Sequence, residues 1–566
     1  MTVRWEPVRG AAGYVVQRAD NPDGPFKTID HGGGDVLAVP GPSYADTTGV
    51  AGTEYWYAVA SLSSADGAHG PLSSPVRSAA TKSAGSVDIR VDAGDIVKPL
   101  ARPWRMLGSE HLSQLFYPSN SLGIDVGKEF AESLQIARAE LGVDRVRAHG
   151  VLLDDLNVYS EPGGRPNYDF AGVDRVYDRL LSLGLRPVVE LSFMPRALAR
   201  DPSQTVFGYR AIVSPPKDYR RWGELIGALA SHLVQRYGID EVSDWGFEVW
   251  NEPNLEVFWT GSREEYFQLY DGATRAIKSV DSRLKVGGPA TAAAGWIGDF
   301  AAHLLESGAP IDFLATHTYG NVPLDVAATA SEAGLRRLPV WWTEWGVSPT
   351  HFARINDSVL GAPFVLHGMF SAMDRADYLA YWTVSDHFEE LGQPPRLMHG
   401  GFGLLTVGNL RKPRFWALRM LEMLGPDRLR VSLTGDGAES MVQAIATRDS
   451  TGGVQALVWN GTLEQSKQDG SLLLGRHIRL RLEGLPVAGY RAEHLRLDCD
   501  HSNIANEWRR LGSPDWPDAA GWERLRAADR LESLEAPRQA GGRGTQVLEF
   551  ELPMPGVSLI RLEPET

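Results

Sequence analysis

The 566-residue chain carries 71 acidic against 56 basic side chains, a formal net charge of −15, and is 43% hydrophobic and 22% charged. It is too long for one core and divides into several domains, and its acidity argues against nucleic acid or an anionic membrane surface as a partner. A single cysteine, Cys499, excludes an intrachain disulfide and any cysteine-based metal cluster. No apolar run reaches membrane-spanning length, and the chain enters a strand directly at Val3-Arg4-Trp5. No signal peptide is read, so the cytoplasm is the default compartment, with secretion left open for a trimmed chain.

Residues 1–82 read as short strands between turns. Gly13-Tyr14-Val15-Val16-Gln17-Arg18 and Tyr55-Trp56-Tyr57-Ala58-Val59 alternate, separated by Asn21-Pro22-Asp23-Gly24 and Gly32-Gly33-Gly34. The stretch resembles a fibronectin type III module without its first strand, with Trp5 as the core tryptophan and Tyr44 and Tyr57 as core or corner tyrosines. That resemblance implies a spacer or packing domain with no chemistry of its own. Residues 75–86 are small, polar and aperiodic, as in a linker, and 86–92 alternate as an isolated strand that must pair elsewhere. The segment 83–102 is therefore expected to be linker plus a strand lent to the C-terminal sheet.

From 103 to 425 short apolar runs alternate with amphipathic helices. Strands are predicted at 104–108, 145–149, 187–192, 246–251, 285–289, 312–317, 340–344 and 379–383. Between them, Ser262 and Glu265 form a capping box for one helix, and Trp222, Leu225, Ile226, Leu229 and Leu233 stripe another that closes at Gly238. Eight strands alternating with helices predict an α/β fold, a (β/α)8 TIM barrel. A doubly wound sheet would want a glycine-rich phosphate turn after its first strand, and none is present. Beyond 426 strands return, with a charged helical excursion over 503–534, and a β-sandwich is predicted.

Two of the barrel strands run into glutamates amid tryptophan: Trp250-Asn251-Glu252-Pro253 after the fourth and Trp341-Trp342-Thr343-Glu344-Trp345 in the seventh. Carboxylates at the C-terminal rim of a barrel are placed for catalysis, and a pair of them flanked by indoles suits a sugar, whose acetal they cleave and whose C–H faces stack on the rings. His317-x-Tyr319 puts two further polar side chains on one strand face.

The barrel and the strands beyond it resemble glycoside hydrolase family 39, which holds β-xylosidases and α-L-iduronidases. The resemblance rests on Arg147-Ala148-His149-Gly150, Glu190-Leu191-Ser192-Phe193-Met194-Pro195, residues 247–255, Gly287-Gly288-Pro289, Thr316-His317-Thr318-Tyr319, Thr343-Glu344-Trp345, and residues 381–390 and 399–404. It implies Glu252 as the acid/base, Glu344 as the nucleophile and Asn251 as the partner of the sugar 2-hydroxyl. It places His149, His317 and Tyr319 around the sugar, Trp382 as the stacking platform and Glu389 or Glu390 on the far hydroxyls. At the turn that would close the far end of that pocket this chain has Met398, with Arg396 nearby.

The reading is a retaining glycosidase for terminal β-glycosides, first of all β-xylosides, with another neutral glycoside or an α-L-iduronide as alternatives. A uronate would want arginine or lysine at the pocket, whereas His317 is followed by Thr318-Tyr319-Gly320. A non-catalytic carbohydrate-binding scaffold would have lost one of the glutamates. A zinc hydrolase would want a His-Glu-x-x-His motif, which is absent. The expected partner is a carbohydrate substrate, with no cofactor, no metal, no nucleic acid and no membrane, and a homo-oligomer left open.

Overall fold

A computed structural model describes residues 1–50, 52–78, 85–388, 390, 392, 394–541 and 544–565. Its centre is a closed barrel of eight parallel strands in chain order. They are β1 (Met106–Ser109), β2 (Arg145–Ala148), β3 (Arg186–Glu190), β4 (Gly246–Glu248), β5 (Val286–Thr291), β6 (Phe313–Tyr319), β7 (Val340–Gly346) and β8 (Tyr378–Tyr381). Each matches a predicted strand, with shifted ends. Trp104 belongs to a 3₁₀ turn before β1. β4 stops at Glu248, so Asn251 and Glu252 lie on the loop after it and not at its end.

Side-chain size explains how the barrel fills. Met106, Val188, Phe313, Ala315, Trp341 and Ala380 pack inside it, with the rings of Phe313 and Trp341 stacked at 3.8 Å. Gly246 and Gly287 make room for them: a Cβ at either position would lie 2.3 Å from Trp341 and 2.2 Å from Phe313 respectively. The outer helices include α1 (Val126–Leu141), α2 (Ala171–Ser182), α3 (Tyr219–Tyr237) and α4 (Arg263–Val280). The Ser262–Glu265 capping box starts α4, and Trp222 of α3 donates its indole N–H to the carbonyl of Leu269 on α4, 3.1 Å away. Most of the tryptophans near the rim are core residues. Trp245, Trp250, Trp259, Trp342 and Trp345 are fully buried, and Trp345 stacks on Phe364. They pack in the core, Trp245 at the opposite end just before β4 begins, and offer no sugar platform.

At the N-terminus a two-stranded sheet (Thr2–Arg4 with Ser43–Ala45) and a four-stranded one (Lys27–Thr28, Gly13–Ala19, Trp56–Leu62, Val76–Arg77) enclose Tyr14, Val16, Tyr44, Tyr57 and Val59. Beyond the barrel the hydrogen bonding runs through one ten-stranded sheet instead of two separate ones. The reason is the central place of Ser86–Pro99, whose residues 87–92 pair on both edges. It pairs antiparallel with Asp427–Gly435 on one side and parallel with Arg476–Leu485 on the other, and so joins both halves. Strands far apart in the sheet order, Gly544–Leu552 and Gly556–Pro564, also touch, so the sheet curls around its core. The helical excursion (Ile504–Arg510, Ala519–Ala528) packs against Leu397, Met398 and Leu410. Met398 and Arg396 are therefore engaged there, Arg396 donating to the Ser513 carbonyl at 3.1 Å.

Ile89 sits in the middle of the shared strand, buried and opposite both Leu433 and Leu480. Truncation at a buried, well-packed aliphatic site costs about 2–5 kcal/mol. Ile89→Ala is expected to lower stability by that amount in urea unfolding, and a loss below about 0.5 kcal/mol would mean that the strand is not central to the sheet.

Candidate active site

The site begins with the alternation of β2. Residues 145, 147 and 149 face inward: Arg145 lies over the Tyr378 ring at the bottom, 4.6 Å from its centroid, Arg147 sits mid-barrel and His149 at the top. Glu190 and Glu248, paired across β3 and β4, face the same interior. Arg147 is fully buried and draws them together. Its Nε and Nη2 donate to Glu248 Oε1 at 2.9 and 2.8 Å, and Nη2 also meets Glu190 Oε2 at 2.9 Å. Nη2 further donates to Asn251 Oδ1 at 2.8 Å, and Nη1 donates to Glu344 Oε1. Burial alone would lower the pKa of Arg147, but Glu190, Glu248 and Glu344 outweigh it and raise it, so the charge is fixed.

Glu344 owes its orientation to a break in strand pairing. β6 pairs with β7 as Thr316 to Trp342 and then His317 to Glu344, skipping Thr343. In a regular strand Thr343 and Glu344 would face opposite sides; with the extra residue both turn toward His317. His317 Nε2 lies 3.0 Å from Thr343 Oγ1, and its Nδ1 lies 3.8 Å from Glu344 Oε2. Tyr319 donates its hydroxyl to Glu344 Oε2 at 2.8 Å. Burial, with Glu344 and Glu252 nearby, raises the Tyr319 pKa well above that of a free phenol, so it stays a donor.

Glu252 stands on a turn whose Trp250 and Glu252 both have left-handed backbone, φ 71° and 42°. The turn is held by Trp250, whose indole N–H donates to the Phe258 carbonyl, and by the Glu252 N–H, which donates to Ala290 O at 2.8 Å. Glu252 Oε1 lies 2.9 Å from His317 Nδ1. An oxygen of Glu252, a ring nitrogen of His317 and an oxygen of Glu344 all fall within 4.8 Å of one another. Burial pushes the Glu252 carboxyl up to about 7, with Arg147 and His149 opposing and Asp35 adding to it. Burial also lowers His317 to about 4, so its ring is neutral. These three groups are a donor set that a cation could use, but both ring nitrogens of His317 and both oxygens of Glu344 already have protein partners.

The other wall holds the remaining predicted residues. His149 Nδ1 meets Glu190 Oε2 at 2.9 Å, and its Nε2 lies 3.5 Å from Glu390 Oε1. Burial would lower the His149 pKa, but Glu190 lifts it well above the ordinary value. Burial pushes Glu390 up to about 8 against the pull of His149, with Glu110 and Glu344 adding to the rise. Trp382 lies beside His149, ring centroids 4.7 Å apart, and its edge rests on Gly108, where a Cβ would approach it to 2.3 Å. Glu389 lies outside the described residues.

His149, Asn251, Glu252, His317, Tyr319, Glu344, Trp382 and Glu390 thus converge on one mouth. Arg147, Glu190 and Glu248 have no place in the site predicted from sequence, although their strands are legible. Inward parity on β2, β3 and β4 was the available signal. Glu110 and Tyr209, bonded to each other at 3.1 Å, are also unforeseen, because both lie on loops where no periodicity marks them.

The family model for glycosyl hydrolases family 39 matches residues 87–546. The chain is 34% identical over 456 residues to a beta-xylosidase of Geobacillus stearothermophilus, covering 74% of this chain and 87% of that one. It is 36% identical over 431 residues to a beta-xylosidase of Caldicellulosiruptor saccharolyticus, covering 72% and 86%. The crystal structure of a monomeric beta-xylosidase from Caulobacter crescentus superposes with a TM-score of 0.75 at 30% identity, over 85% of this chain and all (100%) of that one. With the barrel and its paired glutamates, these matches place the chain in glycoside hydrolase family 39, as an O-glycosidase.

Proposed function

We propose that the chain is a retaining β-glycosidase acting on terminal β-xylosides through a covalent glycosyl-enzyme. The observation that carries this reading is the unequal treatment of two close carboxyls. Retaining enzymes hold their carboxyl groups about 5–5.5 Å apart, in keeping with the 4.8 Å limit on the Glu252 and Glu344 oxygens. Burial keeps Glu252 protonated to about pH 7, while Arg147 and Tyr319 hold Glu344 by both oxygens.

In the first step Glu252 gives its proton to the glycosidic oxygen as the C1–O bond breaks, and a Glu344 oxygen forms the new bond to C1. In the second, Glu252, now a carboxylate, takes a proton from water; the water oxygen attacks C1, and the Glu344–C1 bond breaks to return the carboxylate. Asn251 has one orientation open to it. A guanidinium only donates, so Arg147 fixes the Asn251 oxygen toward itself and leaves the amide N–H₂ for the sugar 2-hydroxyl. His149, Trp382 and Glu390 bound the sugar. A neutral sugar fits better than a uronate, because Arg147 is already committed to carboxylates and His149 is paired with Glu190. The relatives named beta-xylosidases support the pentose.

For the rest of the chain we propose a fibronectin III-like module over 1–82, a linker and donated strand over 83–102, the catalytic barrel over 103–425 and a β-sandwich over 426–566. The two N-terminal sheets around Tyr14, Tyr44 and Tyr57 and the curled sheet around Ile89 and Leu480 support this division. Among the described residues no helix is long and apolar enough to cross a membrane.

Glu344→Ala is expected to abolish turnover of both nitrophenyl β-xyloside and xylobiose. Glu252→Ala is expected to lose about 10²–10⁴-fold on xylobiose and to keep the first step on the nitrophenyl substrate, whose leaving group needs no proton. Added azide should then give the β-glycosyl azide with Glu252→Ala and the α-azide with Glu344→Ala. Opposite configurations would reverse the two roles.

The Glu252 carboxyl works as an acid only while protonated, so the pH profile carries its sign. For xylobiose, kcat/KM is expected to fall as pH rises through about 7, the value to which burial lifts Glu252. For dinitrophenyl β-xyloside the fall should be much shallower. Equal alkaline limbs for both substrates would detach Glu252 from acid catalysis.

A further inference from the structure

The N-terminal segment borders the barrel mouth. Its loop 31–36 reaches the barrel mouth at the end of β6, where Asp35 Oδ2 accepts from Thr318 Oγ1 at 2.9 Å and from the Tyr319 N–H at 3.3 Å. The position follows from the sheet. β5 ends opposite Thr316, so on that side Tyr319 has no ladder partner, while on the other side it pairs with Gly346 of β7. Asp35 takes the place the next residues of β5 would fill.

Three further contacts hold the loop there. The His31 ring meets the Gly320 carbonyl at 3.0 Å, Asn321 donates to Val36 O at 3.0 Å, and Gln465 N–H donates to His31 O at 2.9 Å. Gly33 lies so close to Gly320 that a Cβ on Gly320 would come within 2.1 Å of the Gly33 carbonyl oxygen. A second loop of the module fixes the rim after β5, through Asp66 Oδ2, which accepts from the Trp296 N–H at 2.6 Å. The module thus spans the β5–β6 side of the mouth, next to Glu252, whose own N–H is held by Ala290 of β5. The sugar-binding wall of His149, Trp382 and Glu390 lies away from it, on residues of or following β2 and β8.

The leaving group departs from the oxygen that Glu252 protonates, and so on the module's side. From this geometry we infer that Asp35 is a specificity-determining residue for the leaving group, its half-exposed carboxylate accepting hydroxyls of a sugar aglycone. This rests on the retaining β-xylosidase reading. Asp35 bonds to Thr318 and Tyr319 through Oδ2 alone, and Oδ1 has no protein donor among the described residues. A hydroxyl can pair with a carboxylate oxygen, whereas a nitrophenyl ring has no donor to offer it. Asp35 is also among the charges that raise the Glu252 carboxyl.

The test compares xylobiose with nitrophenyl β-xyloside in the full chain, for wild type, Asp35→Ala and Asp35→Asn. Asn keeps an acceptor for Thr318 and Tyr319 and carries the test if the alanine variant does not fold. The expected result is that kcat/KM for xylobiose falls about tenfold further than for the nitrophenyl substrate in Asp35→Ala, in line with a lost hydrogen bond to a charged group, and by a smaller factor in Asp35→Asn. Capture of the glycosyl-enzyme by added methyl β-xyloside should weaken in the same order. An unchanged ratio between the two substrates, or equal losses on both, would overturn the assignment and leave Asp35 a structural anchor. A wild-type enzyme that cleaves neither xyloside would overturn the functional reading, and this inference with it.

Discussion

Arg147 is a charge that the barrel interior cannot hold alone. Moving an isolated guanidinium or carboxylate out of water costs several kcal/mol even after relaxation, and a buried charge is tolerated only when paired and hydrogen-bonded. Here carboxylates from three strands, Glu190, Glu248 and Glu344, together with the Asn251 amide oxygen from the loop after β4, converge on one guanidinium. Arg147 offsets the burial of these carboxylates, and they offset the burial of Arg147. The cluster couples β2, β3, β4 and β7 beneath the mouth, and fixes Glu344 and Asn251 in one arrangement.

The same cluster separates the behaviour of the two glutamates that face each other. Glu344 is held by a permanent cation and a phenol, whereas Glu252 has a neutral imidazole as its close side-chain partner among the described residues and sits where burial favours its protonated form. In the proposed mechanism this contrast assigns attack to the carboxyl that touches the guanidinium and protonation to the one that does not. The rest of the chain positions this contrast. The skipped residue at Thr343 aims Glu344, the left-handed turn at Trp250 and Glu252 lifts the second carboxyl across the mouth, and the strand Ser86–Pro99 ties the start of the barrel segment into the C-terminal sheet.

The barrel was legible because apolar runs alternating with striped helices leave few other folds, and Glu252 and Glu344 stood out as acids in otherwise apolar, tryptophan-rich stretches. The limits of that legibility are physical. The tryptophans that drew attention to the rim serve mostly as its core, since an indole's size suits burial as well as stacking; Trp382 alone among those residues stands beside His149. Arg147 reads as one more charge in Arg145-Val146-Arg147, and what marks it is a convergence of strands that no single stretch contains. Glu110 and Asp35 lie on loops, where function comes from placement and not from pattern. The contact of loop 31–36 with the barrel rim was not legible for the same reason, since the two stretches meet only in three dimensions.

The central claim is that Glu252 and Glu344 work as a double-displacement pair across a short gap. Proton NMR of the first sugar released from a β-xyloside, recorded before mutarotation, tests it most directly. Two inversions at C1 predict that β-xylose appears first and the α-anomer only later. Initial release of α-xylose would mean a single displacement by water, and would contradict the account.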